Sequence, residues 1–179
     1  MEKLIVSSSP HIHSKSSTQT IMRDVLIALL PATAVGVAFF GLKALITIFV
    51  CVGASVLSEF VFNLICKKEQ TISDLSAAVT GLIFALCLPA SVGIWPCIVG
   101  SVFAIIVVKC LFGGLGCNFA NPAATARVFV LLAFSASVGG GVAPLFATDL
   151  TASATPLEII KLGSGAELPS LLDMFIGKR

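Results

Sequence analysis

Charged residues are scarce in this sequence. Asp, Glu, Lys and Arg make up 11% of the 179 residues, whereas soluble domains carry about a quarter. Hydrophobic residues reach 57%, more than a soluble fold of this length could bury. Apolar runs that meet or approach the roughly 20 residues of a helical span recur along the chain. The composition therefore predicts that lipid is the solvent for most of the protein.

Several motifs of soluble proteins are also missing. The eleven Lys and Arg residues lie at the ends of apolar runs and form no basic stripe, so nothing predicts nucleic acid as a partner. No CxxC pair is present, and two histidines at His11 and His13 have no carboxylate or cysteine nearby, so a metal site lacks its usual spacing. The leader has no uninterrupted apolar stretch before a cleavage site, so we expect no cleavable signal peptide.

The six cysteines lie mainly in apolar segments, and we expect most of them to be small buried hydrophobic residues. Cys110 and Cys117 leave an alternative open. They flank a Gly-rich turn and could instead meet a redox centre of a partner subunit.

What the sequence does contain is a series of apolar segments. We predict long helices over residues 25–41, 44–66, 96–112 and 123–138, the first kinked at Pro31. A shorter run over residues 77–88 stops at Pro89 and cannot cross a bilayer unaided. The pattern indicates an all-α integral membrane protein with a half-length or re-entrant third helix.

The short third helix is where a transport pathway is expected. Non-helical backbone at membrane depth needs shielding by protein or a cavity, and interrupted helices mark binding sites in inverted-repeat transporters. Asp74 precedes this helix and is predicted to cap it, since its charge suits the helix dipole.

Lys and Arg collect at the cytoplasmic ends of membrane helices. If the N-terminus is cytoplasmic, Lys43 is the only Lys or Arg of the short loops that lies on the opposite side. We therefore predict a multi-pass protein of the inner or plasma membrane. Residues 1–23 form a cytoplasmic leader, residues 24–138 a membrane domain of about five helical segments, and residues 139–179 lie outside the cytoplasm.

Glu59 lies inside the second predicted span. An intramembrane carboxylate is costly enough to suggest function, which makes Glu59 a candidate for an ion path. The alternative is that Glu59 reaches the cytoplasmic interface or bonds a neighbouring helix. Lys109 and Arg127 are at span ends and are predicted to snorkel toward water.

Two further segments carry polar groups. The Gly-rich turn over residues 112–121 lacks the ending of a phosphate-binding loop, but Asn118 and Asn121 could cap helices or donate amide hydrogen bonds.

Thr155 stands in a loop of small residues just before Pro156. From the residues alone, Thr155 is an ordinary helix N-cap.

Motifs spread over nearly the whole chain resemble one family. They are SPHI at 9–12, MRDV at 22–25, LP at 30–31, DLSAAVTG at 74–81, LP at 88–89, FGGLG at 112–116, NPA at 121–123 and SATPL at 153–157. In order and spacing they resemble the family of the D subunit of the Rnf ion-translocating electron-transport complex. The likeness to the B subunit of the sodium-translocating NADH:quinone reductase is more distant.

The resemblance implies a covalent flavin. Members carry FMN joined through its phosphate to the threonine of an Asp-x-x-Ser/Thr-Gly-Ala-Thr motif, which maps onto Asp149 through Thr155. Ala152 replaces the hydroxyl residue of that motif, and Ser153 replaces its glycine. A flavin transferase would attach the FMN. Whether a second, non-covalent flavin binds is left open.

The resemblance further implies a subunit that works with other subunits of a membrane redox complex. Electrons would pass from ferredoxin toward NAD, coupled to export of sodium ions or protons. The implied fold has two inverted halves similar to urea and ammonium channels. This chain would hold the first half, so we expect a truncated piece of a longer protein.

Two other functions suit the same sequence pattern. A cofactor-free channel or small-solute transporter would also use an interrupted helix, and a purely structural anchor would need only the apolar spans.

Overall fold

The computed structural model describes residues 17–138 and Lys161, and helix is the only regular structure in this part of the chain. The all-α prediction is therefore confirmed for the described residues. The helices are α1 (Thr18–Phe40), α2 (Leu42–Ile65), α3 (Ser76–Leu86), α4 (Ile94–Val102), α5 (Pro122–Ala133) and α6 (Ser135–Val138). A 3-10 turn (Ile72–Asp74) precedes α3, and a π-helix (Phe103–Cys110), here called the π segment, continues α4.

Helices α1 and α2 are long and apolar enough to cross a bilayer, with 23 and 24 residues. Ser17 begins α1 by accepting a hydrogen bond from the Thr20 backbone N–H. The helix continues through Pro31. Gly41, with a φ of 69°, then joins the two helices in a turn that most other residues would resist.

Helix α3 has 11 residues and ends before Pro89, which confirms the predicted half length. The prediction for Asp74 is wrong. Asp74 closes the 3-10 turn, and Leu75, in a left-handed conformation, occupies the cap position of α3 with no side-chain hydrogen bond. Asp74 therefore lies one residue before the cap position of α3.

The fourth predicted span is one continuous apolar helix over Ile94–Cys110. Pro96 lies in its first turn, where a missing N–H costs no helical hydrogen bond. The second half widens into the π segment, a geometry that is rare and often found at functional sites. The fifth predicted span divides into α5 and α6 at Phe134.

The core lies where α2, α3, α4 and α5 meet, because small residues let these helices approach closely. A Cβ on Gly81 would lie 2.9 Å from the backbone oxygen of Cys51. A Cβ on Gly100 would lie 2.4 Å from the Phe84 ring and 2.6 Å from the Val130 side chain. These glycines therefore set the distances between the helices.

Most cysteines were predicted to be buried, and half of them are. Three are buried, namely Cys51, Cys97 and Cys110, and three are exposed, namely Cys66, Cys87 and Cys117. All six are free. The exposed cysteines lie at helix ends and in turns, where the described helices leave them uncovered.

Asn121 begins α5, as predicted. Its side-chain oxygen accepts hydrogen bonds from the backbone N–H groups of Ala123 and Ala124, at 3.0 and 3.3 Å. Pro122 follows at the first helical position, where its fixed φ suits a helix start.

Replacing Asn121 with Ala is expected to lower the free energy of unfolding by about 1 kcal/mol, because two helix-start N–H groups lose their acceptor. Unfolding of the detergent-solubilised protein by denaturant measures this loss. Asn121→Asp and Asn121→Ser keep an acceptor oxygen and serve as controls. An equal loss in all three variants would contradict a capping role.

Candidate functional site

A buried ion pair joins α2 to the end of the π segment. Glu59 on α2 and Lys109 in the π segment are each 2% exposed. The Lys109 Nζ lies 2.7 Å from the Glu59 Oε1. The two opposite charges thus neutralise each other at a buried site.

Polar side chains from two neighbouring elements complete the hydrogen bonding of the pair. Lys109 Nζ also donates to the Ser76 Oγ at the start of α3, at 2.7 Å. Thr71 donates its hydroxyl to the Glu59 Oε1 at 2.8 Å. Asn63 in turn donates its amide to the Thr71 oxygen at 3.1 Å. The site therefore ties α2, the loop after it, α3 and the π segment together.

The sequence of α2 explains why Glu59 points inward. The buried residues of this helix are all small or polar, and most are spaced four apart: Thr47, Cys51, Ser55, Ser58, Glu59 and Asn63. Residues four apart share one helix face. In a membrane protein, polar residues face the helix bundle instead of lipid. This spacing is the sequence signal that places Glu59 on a buried face.

The prediction that Lys109 snorkels toward water is wrong. Snorkelling needs an open route for the ammonium group along the helix surface, but Lys109 is enclosed and bonded to Glu59 and Ser76. For Glu59, the alternative in which the carboxylate bonds a neighbouring helix describes its observed contacts. A role in an ion path stays a prediction.

The second carboxylate oxygen of Glu59 differs from the first in its contacts. Oε2 is buried and has no hydrogen-bond partner among the described residues. Glu59 also lines a cavity of about 370 Å³, whose other charged lining residues are Lys68, Glu69, Asp74 and Lys109. A buried carboxylate oxygen without a partner, in a residue that lines a cavity, can accept a proton or a small cation.

The Gly-rich turn closes the same region. Gly113, Gly114 and Gly116 all have positive φ, which glycine adopts without strain. The Gly114 N–H donates to the backbone oxygen of Lys109 at 3.0 Å. The turn therefore ends the helix that carries Lys109.

Two polar groups near this turn have no hydrogen-bond partner among the described residues. They are the Asn118 Oδ1 and the Arg127 Nη1, both buried atoms. Arg127 as a whole is only partly buried. Within the same described part of the chain, no group of three or more His, Cys, Asp or Glu side chains could hold a metal ion.

Comparison with known proteins adds the family. Residues 5–179 match the model of the NQR2, RnfD, RnfE family. The chain belongs to this family. Family membership and the apolar helices together make it a membrane protein.

Three relatives in the NQR2, RnfD, RnfE family illustrate the match. The D subunit of the Na(+)-translocating ferredoxin:NAD(+) oxidoreductase complex of Acetobacterium woodii is 48% identical over 174 residues, 97% of this chain and 54% of that protein. The D subunit of the ion-translocating oxidoreductase complex of Aliivibrio salmonicida is 40% identical over 132 residues, 72% of this chain and 37% of that protein.

The third relative is the D subunit of the proton-translocating ferredoxin:NAD(+) oxidoreductase complex of Clostridium ljungdahlii. It is 36% identical over 164 residues, covering 91% of this chain and 50% of that protein. This chain thus spans about half the length of these curated relatives. The resemblance to the family of the Rnf D subunit is confirmed.

The residues predicted to bear the flavin, Asp149, Ser153 and Thr155, lie outside the described residues. The flavin assignment therefore stays a prediction from the motif. Of the predicted site residues, the structure describes Glu59 alone, and it adds Lys109, Thr71, Asn63 and Ser76 around it.

Proposed function

We propose that this chain is part of a membrane subunit of a redox-driven ion pump. It would carry covalent FMN and pass electrons on a path between ferredoxin and NAD, coupled to movement of sodium ions or protons. The observation that carries the proposal is the 48% identity to the Acetobacterium woodii D subunit, over 97% of this chain. Other subunits of the same complex would be its partners.

Charge placement supports a multi-pass topology with a cytoplasmic N-terminus. Lys67 and Lys68 follow the end of α2, whereas Lys43 begins that helix at the other end. Positive charge favours the cytoplasmic side. In this arrangement α3 begins at the cytoplasmic side and, together with the loop after it, forms a half-length segment that counts as a crossing. Its 11 residues support such a segment in an inverted-repeat fold.

The flavin proposal rests on the Thr155 motif. Small residues surround Thr155 in the sequence. A flavin transferase would esterify the Thr155 hydroxyl with the FMN phosphate, supplied by a flavin dinucleotide whose phosphoanhydride bond breaks and whose other nucleotide leaves. Asp149 and Ser153 would flank the attached group. In the proposed topology this segment lies in water outside the cytoplasm, where the FMN phosphate avoids the hydrocarbon core. A bound flavin would supply the redox chemistry, and a second flavin would be non-covalent.

The ion-path proposal rests on Glu59. Its carboxylate is buried, one oxygen has no partner among the described residues, and the residue lines a cavity that also holds Glu69 and Asp74. The names of the relatives include both sodium and proton translocation. The chemistry common to both is a monovalent cation held at a carboxylate.

Replacing Thr155 with Ala is expected to abolish covalent flavin, because the acceptor oxygen is removed. The protein is produced together with its flavin transferase and denatured in acid. In-gel fluorescence and a mass spectrum of the peptide containing residue 155 then measure the attachment. The unmodified protein should fluoresce and carry FMN on that peptide.

Thr151→Ala is the matched control, since it removes a neighbouring hydroxyl and should leave the flavin in place. If the protein without substitutions carries no FMN when active transferase is present, the flavin role is overturned. That result would favour the cofactor-free channel or transporter.

A further inference from the structure

Lys109 already occupies half of the Glu59 carboxylate. The ammonium group contacts Oε1, while Oε2 is enclosed and has no hydrogen-bond partner among the described residues. As it stands, the pair is neutral. A second cation at Oε2 would place two positive charges on one carboxylate whose residue is 2% exposed, and like charges at that distance repel each other strongly away from water.

We infer that Lys109 is a tethered competitor: it holds Glu59 when the site is empty, and a monovalent metal cation binds there by displacing it. This inference rests on the proposed ion path through Glu59. It adds how entry of the ion would be controlled. The carboxylate stays neutralised at every stage, first by the ammonium group and then by the metal cation.

The surroundings offer a destination for the displaced ammonium group. Glu69 and Asp74 line the same cavity as Lys109, together with Lys68, so the cavity offers two further carboxylates to the displaced ammonium group. The cation gains oxygen ligands, which sodium prefers. Both Glu59 and the Thr71 hydroxyl are within the hydrogen-bonded group.

The helix that carries Lys109 is suited to movement. Lys109 lies near the end of the π segment, and π geometry is less common than α geometry and often marks functional sites. A change from π to α pitch would turn Lys109 relative to Glu59. The glycines at 113, 114 and 116 follow directly and can absorb the change in backbone direction.

Replacing Ser76 with Ala tests whether Lys109 and sodium compete for Glu59, and it removes neither charged residue. Its hydroxyl accepts a hydrogen bond from Lys109, whereas Glu59 is bonded by Lys109 and Thr71, so Ser76→Ala weakens the hold on the lysine alone. The half-saturating sodium concentration is expected to fall about tenfold, the effect of losing one hydrogen bond to a charged group. If Lys109 instead positions Glu59 for the cation, the same variant should bind sodium more weakly.

The measurement uses the full-length protein in its membrane complex. Sodium chloride replaces choline chloride at constant ionic strength, and the thermal midpoint is recorded at each step, because a bound cation stabilises the folded state. Glu59→Gln removes the site and should abolish the sodium-dependent shift that belongs to it. Ser58→Ala is the matched control, since the Ser58 hydroxyl donates to the Ala54 backbone oxygen within its own helix.

Lys109→Arg gives the opposite expectation. A guanidinium group can contact both carboxylate oxygens, so sodium should bind more weakly than in the unmodified protein. Tighter binding in Ser76→Ala together with weaker binding in Lys109→Arg supports the inference. No change in either variant, or the reverse order, overturns it, as does the absence of any sodium-dependent shift that Glu59→Gln removes.

Covalent flavin is measured on the same samples. If the flavin is present on Thr155 but sodium binding does not respond as expected, the tethered competitor is wrong and the redox function stands. If the flavin is absent, the redox function fails, and the binding result still reports on Lys109.

Discussion

Replacing Lys109 with Met is expected to lower the free energy of unfolding by about 3–5 kcal/mol, because Glu59 would keep a buried charge without a counter-ion. The loss is large since both side chains are only 2% exposed and the described helices around them are mainly apolar. Denaturant unfolding in detergent measures it. Choline replaces sodium in the buffer, so that no metal cation can take the place of the lysine.

A double variant separates loss of the ion pair from loss of packing. Glu59→Met combined with Lys109→Met removes both charges and should recover most of the stability, because an apolar pair of similar volume suits a buried site. Lys67→Met is the control for removing an exposed positive charge and should change stability by about 0.5 kcal/mol at most. Additive losses from Glu59→Met and Lys109→Met would contradict a coupled buried pair.

Replacing Phe84 with Ala is expected to destabilise the protein by about 3–5 kcal/mol, because it leaves a cavity at the centre of the helix packing. Phe84 is fully buried, and a Cβ on Gly100 would lie 2.4 Å from its ring. Helix association in lipid depends on such packing contacts, since lipid tails are as apolar as the side chains. The same unfolding assay measures the effect.

Phe49 offers a matched control on α2. Its side chain is 69% exposed, so lipid or detergent can replace its contacts after Phe49→Ala. The expected change is about 0.5 kcal/mol or less. Equal losses in the two variants would show that the packing around Phe84 does not determine the stability of the bundle.

The helices themselves were predictable, because each depends on a local pattern. Apolar runs and their interruption at Pro89 indicated the helices and the short α3. Asn121 followed by Pro122 is a local start signal, and the structure confirms the cap. Most ends shifted by one or two residues, since the neighbouring turn decides where a helix frays. The predicted start of the first helix at residue 25 is wrong: α1 begins at Thr18, because Ser17 caps it and the helix continues through the polar residues before the apolar run.

The candidate site was only half predictable. Glu59 stood out because a carboxylate in an apolar run is unusual. Its partner Lys109 did not, because a lysine near the end of a span has two outcomes that the local sequence does not separate. Lys109 lies in the π segment and contacts Glu59, fifty residues earlier in the chain. Asp74 was misassigned for a related reason: the left-handed Leu75 offsets it from α3.

The sequence by itself determined the solvent, the helical class and the family of this protein, because composition, apolar runs and ordered motifs are properties of the chain alone. Only the tertiary structure decided which polar groups meet. The pairing of Glu59 with Lys109 and the enclosure of one carboxylate oxygen arise where α2, α3 and the π segment converge. Those contacts depend on helix pitch and close approach, which no short stretch of sequence specifies.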